Sequence, residues 1–230
     1  MSLSSILLGL LAINLLLVVH ELGHYLVARA VGMRVVEFSI GMGPRLFSVR
    51  RGEVDYVLRL VPLAGYVLLP DLVPDEGFPA VPVWRRTAAL FAGPMFNVLF
   101  AVLLIGPRNT AGLFLWWWAQ MQTFYAVGGE LVGMVGISNE VGKAAVAGWR
   151  QLALLTSYLS INFAILNVFP LPGLDGGRLV GLLIEKLNGG RRPRWEPAVQ
   201  AIGLLFILGL SVWLVGHDIL RALGWVTKRV

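Results

Sequence analysis

Long apolar runs alternate with short polar breaks along this chain, and at the first break the period of the pattern changes. The first run predicts a helix over about residues 4–28, ending in a polar cluster at His20 to His24. At 1.5 Å per residue such a helix covers the roughly 30 Å of a bilayer's hydrocarbon. From Met33 to Leu69 the apolar positions fall instead in short β-branched and aromatic runs, broken at Gly41-Met42-Gly43-Pro44 and at Arg51-Gly52-Glu53. That spacing predicts two or three hairpin-connected strands, a β-loop over about 33–69. Open sheet edges cannot face lipid, so the β-loop belongs at the membrane interface or behind helices. Pro70 to Pro82 carries four prolines and three acids and predicts a loop.

A second span is predicted over about 84–105, a third over about 149–169 and a fourth over about 198–216. The apolar stretch 111–127 is short, and its Trp116-Trp117-Trp118 cluster suits an interfacial segment. Gly128 to Gly148 is expected to be a Gly-rich connector. The third span closes in Asn167-Val168-Phe169-Pro170-Leu171-Pro172-Gly173-Leu174-Asp175-Gly176-Gly177, where two prolines break the helix. Irregular backbone at membrane depth is tolerated only where it lines a cavity or is buried in protein. A short helix over about Leu179 to Leu187 and a basic loop from Asn188 to Pro197 follow. The expected fold class is an α-helical integral membrane protein of about four transmembrane helices with a small membrane-associated β-hairpin, one domain over 1–230.

Composition agrees with a lipid surrounding. Hydrophobic residues make up 57% of the 230 and charged residues 14%, against about 25% charged in soluble domains. Without cysteine, neither a disulfide framework nor a thiolate metal site can form. The net charge of +6 would suit nucleic acid only with a clustered basic face and a binding motif, and neither is visible. The first run lacks a basic leader and a small-residue cleavage site, so it predicts a retained span. Eight Arg or Lys lie between Arg29 and Arg86 and five between Arg178 and Arg194, of 19 in all. Basic loops stay on the cytoplasmic side, so a multi-pass protein of the cytoplasmic membrane with its N-terminus outside is expected.

The candidate chemistry begins at His20-Glu21-Leu22-Gly23-His24. On a helix, residues i and i+4 share a face, so both imidazoles can grip one metal ion. H-E-x-x-H is the metalloprotease arrangement: two His for zinc and the Glu as general base to the water that the site activates. Three ionisable groups at membrane depth are costly unless functional. Asp175, in the break after the third span, is either a loop carboxylate bonded to nearby backbone N–H groups or the third ligand, an oxygen, which would leave the open fourth position of a catalytic zinc. His20, His24 and Asp175 can meet only if the first and third spans run the same way with one crossing between them, which requires that 111–127 does not span. Asn97, in Gly93-Pro94-Met95-Phe96-Asn97, is either near the site or part of a packing kink. His217, at the end of the fourth span, is left outside the site. Two rivals remain: a catalytically inactive scaffold that binds transmembrane segments, and a membrane metal transporter. A transporter would spread acids and His over several helices.

Together H-E-L-G-H, G-P-M-F-N and N-V-F-P-L-P-G-L-D-G-G resemble the site-2 protease family of intramembrane zinc metalloproteases, most nearly the bacterial branch that cleaves anti-sigma factors and remnant signal peptides. The resemblance implies Zn2+ on His20, His24 and Asp175, Glu21 as catalytic base, Asn167 as the residue that binds or orients the substrate backbone, and Gly93, Pro94 and Asn97 as support for the active-site helices. Its substrates would be transmembrane proteins or peptides within the bilayer. Members usually carry one or two PDZ domains between the second and third spans, whereas Gly106 to Gly148 is too short for one. A helical substrate must unwind before attack, and an edge of the β-loop is expected to hold it by strand addition, a step that proline at Val57 or Leu60 should block.

Overall fold

The computed structural model describes residues 3–72, 81–127 and 134–222. Seven helices and one hairpin follow in the order α1 (Leu3–Ala30), β1 (Glu37–Arg51), β2 (Val54–Leu68), α2 (Val83–Ile105), α3 (Pro107–Val127), α4 (Met134–Ala147), α5 (Trp149–Val168), α6 (Asp175–Leu187) and α7 (Glu196–Ala222). Among the described residues, four helices are long and apolar enough to cross a membrane: Leu7–Ala30, Val83–Ile105, Trp149–Val168 and Glu196–Leu220. With the chain's composition, these make it a multi-pass membrane protein. α7 stands outermost, with Leu205, Phe206 and Val212 exposed as lipid-facing side chains must be.

β1 and β2 form one long antiparallel hairpin, with Phe38 opposite Val67 and Val49 opposite Tyr56. As expected, the chain doubles back at Gly41–Pro44, within β1: Glu37 to Ile40 runs in the direction of Asp55 to Leu58, and Arg45 to Arg51 runs against it. The bend brings Glu37 to Ile40 beside Asp55 to Leu58 as well as beside Gly65 to Leu68. Val57 thereby lies inside the sheet, 3% exposed between Ser39 and Ser48, so proline there would break the sheet itself. Leu60 is exposed and remains the informative position. The base of the hairpin packs with the end of α1 and the start of α2 around Ala28, Met33, Val35, Phe38, Val54, Leu69 and Ala89. Of the expected loop Pro70 to Pro82, residues 70–72 form a single 3-10 turn, and 73–80 lie outside the described residues.

Two sequence expectations are revised here. The Gly-rich stretch 128–148 contains α4, a 14-residue helix packed on α1, α5 and α7; residues 128–133 lie outside the described residues. The Trp-rich stretch belongs to α3, whose Trp116 ring meets Tyr158 edge-on at 5.3 Å, ten residues into α5. The stretch 111–127, short by its apolar run, is thus the greater part of a 21-residue helix.

Candidate metal centre

α1 and α2 approach closely because Gly23 leaves room. A Cβ there would meet the Ala92 carbonyl oxygen at 2.5 Å. α1 thus lays His20 and His24, one turn apart, against α2. Both are buried, at 4% and 5% exposure. Gly93 lies beneath the rings; a Cβ in its place would come within 2.7 Å of His20 Cε1 and 2.6 Å of His24 Cε1.

Asp175 reaches the pair from α6. α5 ends at Val168 before Pro170, as a proline-containing segment dictates. α6 starts at Asp175 itself, four residues earlier than the sequence suggested, because Gly176 and Gly177 pack without side chains against the Phe169 and Leu171 carbonyls. α6 is fixed to α2 by a buried bidentate pair, Arg86 Nη1 to Glu185 Oε2 at 2.9 Å and Arg86 Nη2 to Glu185 Oε1. This anchor was not visible in the sequence, since the two residues lie 99 positions apart.

The donor atoms form a small triangle. His20 Nε2 is 3.0 Å from Asp175 Oδ2, His24 Nε2 is 3.2 Å from the same oxygen, and the two imidazole nitrogens are 3.1 Å apart. Ligands about 2.0 Å from a tetrahedral zinc lie about 3.3 Å from one another, so the triangle has the dimensions of one face of such a site. Among the described residues this is the one group of three His, Asp or Glu close enough to hold a metal ion. The donor set suits zinc, two imidazoles and a carboxylate with no thiolate. His24 Nδ1 donates to the Ala89 carbonyl at 2.7 Å, which leaves its Nε2 as the lone pair facing the other two donors.

Glu21 is half-buried beside the pair and lines a crevice between α1 and the hairpin, with Ser39 and Ile40 of β1 and Ala64 and Gly65 of β2. Asn167 is buried in the last turn of α5, its amide donating to the Phe163 carbonyl at 2.9 Å. Asn97 is fully buried on α2, its amide 3.3 Å from His20 Nδ1. His217 lies elsewhere, on α7, stacked on Trp213. α3 and α4 lie in the connection between α2 and α5.

The sequence profile of peptidase family M50 matches residues 8–210. The chain belongs to this family, the site-2 protease family of metallopeptidases. It is similar to Fusobacterium nucleatum FN1322, which carries a zinc metalloprotease name, at 23% identity over 93% of this chain and 98% of that protein. It is also similar to Synechocystis slr1821, named in the same way, at 24% identity over 93% of each chain. Zinc metalloprotease Rip1 of Mycobacterium tuberculosis is 40% identical over 46% of this chain and 28% of its own length. The alignment with FN1322 runs over 331 positions, 101 more than the 230 residues here, so at least 101 of its positions face gaps in this chain.

Proposed function

We propose that the chain is a zinc-dependent intramembrane endopeptidase that hydrolyses peptide bonds in or near transmembrane segments, in the manner of anti-sigma factor or remnant signal peptide cleavage. The observation that carries this reading is the donor triangle of His20, His24 and Asp175, with edges of 3.0 to 3.2 Å. Those three residues would hold the metal. Zinc, when bound, supplies a Lewis acid and a water of lowered pKa.

The chain's own residues do the rest. Glu21 adjoins the metal ligands along α1 and faces the crevice, where it takes a proton from the attacking water and returns one to the leaving amine. An unwound peptide pairs with an edge of the β-loop, where backbone hydrogen bonds hold it extended near Glu21 once α1 and the hairpin part. Asn167, at the broken end of α5, orients the substrate backbone. The basic segments 29–86 and 178–194 support a placement in the cytoplasmic membrane with the site toward the cytoplasm.

The test is Glu21→Gln. Expected are full zinc binding, loss of hydrolysis by about 10²- to 10⁴-fold, and accumulation of uncut membrane peptides visible by mass spectrometry. Undiminished biological activity would favour the scaffold reading instead.

A further inference from the structure

We infer that Asn97 is the positioning residue of His20 and that it acts as a hydrogen-bond acceptor, with its Oδ1 rather than its Nδ2 against the imidazole. The inference rests on the zinc reading above. His20 Nε2 faces His24 Nε2 at 3.1 Å and Asp175 Oδ2 at 3.0 Å, so it is the nitrogen that offers a lone pair to a metal. The proton of neutral His20 then resides on Nδ1, and an Nδ1–H needs an acceptor.

The atom standing 3.3 Å from Nδ1 is Asn97 Nδ2, itself a donor. Two donors cannot face each other. Turning the amide over puts Oδ1 in that place, and the oxygen and nitrogen of an Asn amide are told apart only by such networks. The turn breaks no hydrogen bond of the oxygen, because Asn97 Oδ1 is buried with no partner. The backbone around it is fixed, with Ser160 Oγ donating to the Asn97 carbonyl at 2.8 Å.

A single stripe of α2 then sets both imidazoles. Ala89, Gly93 and Asn97 are spaced i, i+4, i+8 and share a face. The Ala89 carbonyl orients His24, Gly93 gives both rings room, and Asn97 orients His20.

The experiment measures zinc affinity of the full chain in detergent by competition with a chromophoric chelator, for wild type, Asn97→Asp and Asn97→Leu. A carboxylate can only accept, so Asn97→Asp is expected to bind zinc like wild type, and Asn97→Leu about 10- to 100-fold more weakly. Equal binding by all three, or Asp failing as Leu does, overturns the inference alone; a wild type that binds no zinc sinks the metal centre with it. Should a variant not fold, the wild type still decides: with only His20, His24 and His217 to assign, nitrogen-15 spectra of the zinc-loaded protein should show His20 metal-bound through Nε2 with its proton on Nδ1, and zinc on Nδ1 would leave Asn97 no proton to accept. A proton on Nε2 overturns the inference.

Discussion

Gly65 of β2 stands against Glu21 of α1. A methyl carbon in its place would lie 3.3 Å from Glu21 Cγ and 2.9 Å from the Ser39 carbonyl oxygen. The strand residue facing the proposed base has no side chain, so a peptide laid along β2 can come close to Glu21. Gly65→Ala is expected to lower turnover of a transmembrane substrate about 10- to 100-fold through misplacement, with bound zinc unchanged. Wild-type turnover in that variant would remove the substrate from this strand.

Gly93→Ala tests the room beneath the imidazoles. Alanine favours a helix over glycine by about 1 kcal/mol, so α2 itself gains. The new methyl group nonetheless falls within 2.7 Å of His20 Cε1. Expected are a helix of unchanged or greater stability and a marked loss of zinc measured by atomic absorption; full zinc occupancy would mean that the rings can move aside.

Arg86 and Glu185 hold α6, and through it Asp175, against α2. Both side chains are buried, at 2% and 4% exposure. Removing one partner leaves an uncompensated charge, so Arg86→Met or Glu185→Leu is expected to cost about 3–5 kcal/mol, while the double substitution recovers most of the loss. Thermal unfolding in detergent checks this, and a double variant as unstable as the singles would contradict the pairing.

Glu37 makes the hairpin pH-sensitive. Burial pushes its carboxyl up, but hydrogen bonds from the Tyr66 hydroxyl and Arg59, with Arg45 nearby, hold it below its ordinary 4.5. A depressed folded value stabilises the hairpin fully above about pH 4.5, and that contribution is lost as pH falls through the folded value. Hydrogen exchange in β1 and β2 should therefore accelerate below pH 4 in wild type. Glu37→Gln should exchange faster at neutral pH and show a flatter profile; an equally steep profile would assign the effect to another group.

What could be read from sequence divides by range. His20 and His24 lie on one helix, so their convergence follows from the 3.6-residue period alone. Asp175 lies 155 residues from His20, and only a motif and a topological condition connected them. α4 escaped notice because its glycines lower helix propensity; packing on α1, with Val141 fully buried, makes it a helix. Gly176-Gly177, which the sequence left in the break after the third span, belongs to the first turn of α6, since their missing side chains let the Phe169 and Leu171 carbonyls come close. The reversal at Gly41–Pro44 was legible because glycine and proline cluster where the backbone turns, and Gly41 and Gly43 take positive φ there.

The most direct measurement is X-ray absorption at the zinc edge on the purified chain, wild type beside Asp175→Ala. The account predicts one zinc per chain with two imidazole nitrogens and carboxylate oxygen in a four-coordinate shell at about 2.0–2.2 Å, and loss of the carboxylate oxygen in the variant. An unaltered shell in Asp175→Ala, or a zinc without two imidazoles, would contradict it.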